Sequence, residues 1–210
     1  MFDGTSELNV MRTYPHYSEK TQYIQRRALS HANYSLRINC RNAEPIADIL
    51  TITSGLVPGY KRVLHDMEGS DVDPMFYKTA DGQVGCLSEA VDSLLTTFKA
   101  GEIVVLSIRA DEASCAFMAA KQLSGVRLAP IRTVCDAQTI PYTSVHAFKG
   151  LEAPAVIITD IENLKDERSR SLLYVGMSRA RVRLYILLNE NCRRQYQQIL
   201  DAGLERISKG

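Results

Sequence analysis

At 210 residues, 45% of them hydrophobic, the chain is long enough to bury a substantial core, and one domain, or one with a small appendage, is expected. The formal net charge of +1 argues neither for nor against a polyanionic partner, so the distribution of charge matters more than its sum. No run approaches the roughly 18 apolar residues of a membrane span and no signal-peptide core opens the chain, which predicts a cytoplasmic protein with no membrane partner. Five cysteines, Cys40, Cys86, Cys115, Cys135 and Cys192, are odd in number and widely spaced. They read as buried free thiols in a reducing compartment, with no zinc or redox motif and no metal site among them.

The elements follow in order. Residues 1–30 form a polar, weakly patterned N-terminal segment, and Phe2-Asp3-Gly4-Thr5 looks like a strand end entering a turn, as if cut from a larger fold. The main domain is expected over 31–210. Tyr34 to Ile38 alternates like a short strand, and Asn42 is placed to cap a helix running to about Ile52, with Pro45 in its first turn. Gly55 and Gly59 close that unit. Tyr60 to His65 and Met75 to Thr79 are strand-like, with the acidic stretch from Asp66 to Pro74 expected as surface loop between them. Leu87, Val91, Leu94, Leu95 and Phe98 share one helical face, predicting a helix to Lys99 with Ser88 as its cap. Ile103 to Ile108 reads as a buried strand. Asp111 is placed to cap a helix reaching Ala119 or Leu123, closed by Gly125, and Val126 to Ile131 is a short strand.

The stretch from Tyr142 to Leu187 carries most of the chemistry. It holds Ser144-Val145-His146-Ala147-Phe148-Lys149-Gly150-Leu151-Glu152, then the apolar run Ala155 to Thr159, bounded by Pro154 and Asp160. Leu172 to Arg181 follows. The run predicts a strand buried on both faces, with polar residues set in loops against it. Val182 to Leu188 is a further strand and Cys192 to Ile207 a terminal helix. Alternating strands and helices with short connections predict an α/β fold, a mostly parallel sheet flanked by helices.

There is no glycine-rich loop ending in Lys-Ser or Lys-Thr, and no apolar run ending in paired carboxylates to hold magnesium. Arg41 and Arg179 lie at strand–helix junctions instead, and a guanidinium fork matches phosphate oxygens and stays charged when buried. Arg168, Arg170, Arg181, Arg183, Arg193 and Arg194 also crowd the C-terminal quarter, where the plain reading of most is a solvated surface charge.

The order Ile38-Asn39-Cys40-Arg41-Asn42, then Ser144 to Glu152, then Leu172 to Arg181 resembles motifs IV, V and VI of superfamily 1 helicases of the UvrD/Rep/PcrA type. The resemblance is to their C-terminal RecA-like domain, a P-loop NTPase-type sheet without its own Walker A loop. Phe2 to Thr5 resembles the end of motif III. The resemblance implies that Arg41 and Arg179 contact the γ-phosphate of ATP as catalytic arginines, a role worth on the order of 10³–10⁵ in rate. It implies that Gly150 and Glu152 lie near the ribose and phosphates. Ser144 and His146 would touch single-stranded nucleic acid, with Lys149 linking the two sites.

The implied cofactors are ATP and Mg2+ in the full-length protein, neither bound tightly by this chain. The implied partners are an N-terminal RecA-like helicase domain in cis and single-stranded DNA, RNA not being distinguished. A 3′ to 5′ polarity follows only from the branch resemblance. Plain structural readings stand beside these roles: turn or packing geometry for Gly150 and Gly176, a satisfied buried histidine for His146, and a helix-end charge for Arg179.

The chain also departs from the family pattern. Cys40 stands where a tyrosine usually stacks on adenine, so base stacking does not carry over to that position. Ser6 or Glu7 stands in place of a glutamine that senses the γ-phosphate. Ala153-Pro154 replaces a common aromatic, and roughly 100 residues between Arg41 and Ser144 leave no room for an inserted domain. The expected function is therefore the C-terminal motor domain of an ATP-dependent DNA helicase or translocase. The alternatives are a non-catalytic RecA-like module binding nucleic acid or protein, and, more weakly, part of a nuclease–helicase fusion.

Overall fold

The structure, a computed structural model, describes residues 38–54, 62–65, 69–120, 125–133, 136 and 138–209. The expectations for the N-terminal segment, Gly55, Gly59, Tyr60, Leu123 and Cys135 lie outside these residues. Eight strands are described: β1 Ile38–Ala43, β2 Arg62–His65, β3 Asp71–Tyr77, β4 Ile103–Ser107, β5 Arg127–Pro130, β6 Thr139–Ser144, β7 Ala153–Ile161 and β8 Ala180–Asn189. The described helices are α1 Glu44–Ser54, α2 Ala80–Leu95, α3 Cys115–Ala119, α4 Glu167–Met177 and α5 Arg193–Ser208. None of them is long and apolar enough to cross a membrane.

Six strands form one sheet in the order β3-β8-β7-β4-β6-β5, every pairing parallel. β1 and β2 pair in parallel in a two-stranded sheet, connected through α1. The mostly parallel α/β architecture expected from the sequence is the one observed.

The run predicted as a doubly buried strand is β7, which continues through Asp160 to Ile161. Its side chains alternate between two cores. Val156 and Ile158 join Leu184, Ile186 and the helix residues Ile46, Leu50, Leu172 and Tyr196 on one face. Ala155 and Ile157 join Ile103, Val105 and the helix residues Leu87, Val91 and Ala116 on the other. Both pleat faces are covered by helices, so the strand has no polar alternation to show.

Several local expectations are corrected. The stretch expected as loop from Asp66 to Pro74 contains most of edge strand β3, in register with β8 from Asp71 opposite Arg183 to Tyr77 opposite Asn189. Arg183 pairs with both acids, its Nη1 3.3 Å from Asp71 Oδ2 and its Nη2 2.7 Å from Asp73 Oδ2. Pro74 is tolerated because an edge strand has one unpaired side.

The helix expected to start at Leu87 behind Ser88 begins at Ala80. Thr79 caps it, its hydroxyl accepting from the Gly82 amide at 3.1 Å. Asp111 opens only a 3-10 turn, and Ser114 caps the short α3 by accepting from the Phe117 amide at 3.2 Å. Asn42 lies in β1, and its side-chain amide donates to the Ala180 carbonyl at 2.6 Å instead of being committed to the start of α1.

Gly203 explains how α5 reaches α1. A Cβ there would lie 2.2 Å from the Ile52 carbonyl oxygen, so only glycine permits this approach. Arg206 adds a hydrogen bond from Nη2 to the same oxygen at 3.3 Å.

Candidate functional site: two edges of one sheet

The first edge gathers β1 and the N-terminal ends of β7 and β8. Asn39 Oδ1 accepts from the Arg41 amide at 2.9 Å and the Asn42 amide at 3.0 Å, which fixes the turn of chain that carries Arg41. Asn42, bonded to the Ala180 carbonyl, ties that turn to the start of β8. On the other side, Gly150 adopts φ +82, a left-handed conformation that favours glycine, and the chain then enters β7. The Ala153 amide donates to the Arg179 carbonyl at 3.0 Å, so Glu152 is held between the two strand starts.

Glu152 lies between two guanidinium groups. Arg41 Nε is 3.2 Å from Glu152 Oε2, and Arg181 Nε is 3.7 Å from Oε1. All three side chains are about half exposed, at 41–44%. An ion pair this open adds little stability, about 0–1 kcal/mol, because water screens it. The same openness leaves it able to exchange partners. Ile38, Cys40, Arg41, Glu152 and Arg181 line an open cleft of about 420 Å³.

Arg179 stands differently. It is 2% exposed, at the end of α4, with Nε donating to the Val175 carbonyl at 3.1 Å. Nη1 donates to the Leu151 carbonyl at 3.3 Å and Nη2 to Ser178 Oγ at 3.0 Å. Burial pulls its pKa down, yet a guanidinium keeps its proton under such conditions. In this form Arg179 braces the residues beside Glu152 from beneath. Gly176 is a packing residue: a Cβ would meet Ile158 Cδ1 at 3.0 Å and Val145 Cγ2 at 3.4 Å.

The second edge lies at the opposite end of the strands. Ser144 closes β6, level with Ser107 of β4, which is itself level with Thr159 of β7. The Val145 amide donates to the Ser107 carbonyl at 2.8 Å, and the Ala147 and Phe148 amides turn back to the Ser144 carbonyl at 3.0 and 3.1 Å. Val145 and Phe148 are buried anchors, while His146 and Lys149, the residue after each, are exposed.

The connection 145–152 therefore starts beside Thr159 and ends just before Ala153. At about 3.3 Å per residue the two levels are about 20 Å apart, the full height of the sheet. Arg41, Gly150, Glu152 and Arg179 cluster at one edge. Ser144 and His146 lie toward the other, with Lys149 on the connection.

Three participants are not evident from sequence. Arg181 is indistinguishable by type from its solvated neighbours, and only the long-range contact with Glu152 singles it out. Arg109 pairs with Glu162 where β4 and β7 end, a contact across 53 residues with no local signal. Asp160, 2% exposed and at φ +67, lies in β7, two residues before Glu162. Among the described residues no group of three or more His, Cys, Asp or Glu side chains could hold a metal ion.

A family model described as the UvrD-like helicase C-terminal domain matches residues 142–187, the segment that contains the connection, β7 and α4. No curated protein sequence matches the chain. Among solved structures, the chain is similar to the C-terminal domain of a possible DNA helicase from Lactobacillus plantarum WCFS1. That similarity has a TM-score of 0.54 and 20% identity over 71% of this chain and 87% of the other. At that identity the likeness concerns the fold. The motifs, the family match and the shared fold agree, and the chain resembles superfamily 1 helicases of the UvrD-like type in their C-terminal RecA-like domain.

Proposed function

We propose that this chain is the C-terminal motor half of an ATP-driven DNA helicase or translocase. ATP occupies the cleft at the first edge, facing an N-terminal RecA-like domain that brings the phosphate cradle and the magnesium carboxylates. In this reading the metal is held from that other side, by the carboxylates of the N-terminal domain. Arg41 contacts the terminal phosphate, Glu152 and Gly150 lie by the ribose and inner phosphates, and Arg179 supports charge that develops in the transition state. Glu152 now occupies the guanidinium groups of Arg41 and Arg181, and a triphosphate would compete for them. Single-stranded DNA runs along the second edge past Ser144 and His146. Lys149 lies on the segment joining the two sites.

The observation that supports this reading most strongly is the connection 145–152, whose two ends lie at opposite edges of the sheet. A shift of Glu152 on nucleotide binding reaches His146 through one short stretch anchored by Val145 and Phe148. The test has two arms. The purified chain should bind a fluorescent oligodeoxythymidine at low salt, and more weakly when His146 or Lys149 is alanine. It should show no magnesium-dependent ATP turnover alone. Turnover by the isolated chain would overturn the half-site reading.

A second reading, a RecA-like binding module without an ATPase role, is favoured by one observation: Arg179 is buried on carbonyl partners. In an intact protein with its N-terminal domain, Arg179→Ala should abolish turnover while leaving ATP binding largely intact. Unchanged turnover would select the module.

A further inference from the structure

Asp160 takes no part in the roles above, yet it is the most constrained acid in the described chain. It is buried, it is the one described non-glycine residue with positive φ, and it lies where the β7–β8 register shifts between Ile158 and Ile161. Its carboxylate accepts from three elements at once. Ser107 Oγ of β4 donates to Oδ2 at 2.6 Å and Thr159 Oγ1 of β7 donates to it at 2.7 Å. The Cys115 amide, the first of α3, donates to Oδ1 at 3.1 Å and Oδ2 at 3.2 Å.

Ser107 carries the connection onward. Its Oγ also accepts from the Arg109 amide at 2.9 Å, and its carbonyl accepts from the Val145 amide at 2.8 Å. Arg109 in turn pairs with Glu162, two residues beyond Asp160. One buried carboxylate thus fixes the departure points of both the Arg109 segment and the His146 segment.

We infer that Asp160 is a positioning residue for the nucleic-acid edge, setting the 145–151 segment and Arg109 at a common height through Ser107. The inference rests on the proposed reading of that edge. Two functions of Asp160 are separable by substitution. Glycine adopts φ +67 without strain and supplies no carboxylate, so Asp160→Gly preserves the backbone turn and removes the three-way anchor.

Hydrogen exchange on wild type and Asp160→Gly, with Gly203→Ala as a destabilised control at the remote α1–α5 contact, reads the anchor directly. Asp160→Gly should speed exchange of peptides covering 143–151 at least tenfold, relative to β8 peptides. The control should leave that ratio unchanged. Oligodeoxythymidine affinity at low salt should fall at least fivefold in Asp160→Gly, with a shallower salt dependence as Arg109 loses its place. Exchange at 143–151 like wild type would overturn the inference and reduce Asp160 to a turn residue. A wild-type chain that binds no oligonucleotide would overturn the nucleic-acid reading, and with it the function assigned to the anchor, even if exchange changes as expected. If Asp160→Gly does not fold, Ser107→Ala cuts the same chain at its next link. It should give the same selective increase, and unchanged exchange in that variant overturns the inference.

Discussion

Gly203→Ala tests the packing that holds the first edge in place. The added Cβ would lie 2.2 Å from the Ile52 carbonyl oxygen, 2.8 Å from its carbonyl carbon and 2.7 Å from its Cγ2. Two of these three atoms are backbone, so no rotamer change relieves the contact, and α5 or α1 must move. Forcing a methyl group into a filled contact costs about 1–3 kcal/mol. Alanine recovers up to about 1 kcal/mol in helix propensity over glycine. A 2.2 Å approach to backbone places the packing cost at the upper end, leaving a net loss of about 2 kcal/mol. For a chain of this size that is a fall in Tm of about 4–8 °C. Circular dichroism melts of wild type and variant measure it. Because α1 follows β1 directly, displacement of α1 is expected to loosen Arg41 as well. An unchanged or raised Tm would refute the reasoning, since it would mean that helix propensity outweighs the contact with Ile52.

Other outcomes follow from the same geometry. Lys149→Ala should weaken oligonucleotide binding several-fold and reduce the slope of log affinity against log salt by about 1, with stability within about 0.5 kcal/mol of wild type; titrations at several salt concentrations check both. Glu152→Gln removes the negative charge between Arg41 and Arg181, so calorimetry should show inorganic triphosphate binding at least about twofold tighter. The melt should change little, the pairs being half exposed. Asp166 caps α4, and hydrogen bonds from the Ser169 amide and hydroxyl hold its carboxyl pKa below the usual 3.8. A depressed pKa stabilises the fold above about pH 4 and loses that contribution as pH falls through the lowered value. Asp166→Ala should therefore lower Tm by about 2–4 °C at pH 7, with the difference narrowing in acid.

What was legible in the sequence was what local pattern encodes. The apolar run in β7 is uninterrupted because both its faces are covered. The order of motif-bearing segments survives because each sits at a strand boundary, so the α/β class and the placement of those segments at strand ends could be read. What was not legible depends on partners distant in the chain. Asp71 and Asp73 look like loop residues until Arg183, more than 100 residues away, pairs with both across a parallel ladder. The start of α2 is obscured by Gly82 and Gly85, which interrupt the apolar stripe, while Thr79 provides the cap from a position that reads as strand. Arg179 and Arg181 are two residues apart and identical in type. Only the fold makes one a buried brace and the other a partner of Glu152 at the cleft.

The sheet order also sets when the molecule can be completed during synthesis. β3 joins the sheet only through β8, and β1 is tied to it by the Asn42 amide on the Ala180 carbonyl. β3 therefore waits for residues beyond 180 to find its strand partner, and β1, although it can pair with β2 early, waits as long for its tie to the main sheet. Such long-range closure slows folding. It also makes the Arg41–Glu152–Arg181 cluster one of the last features to assemble, because its three members enter the nascent chain at positions 41, 152 and 181. The cleft is thus a proofread of completeness: a chain truncated ahead of β8 has the sequence around Arg41 but no edge on which to present it.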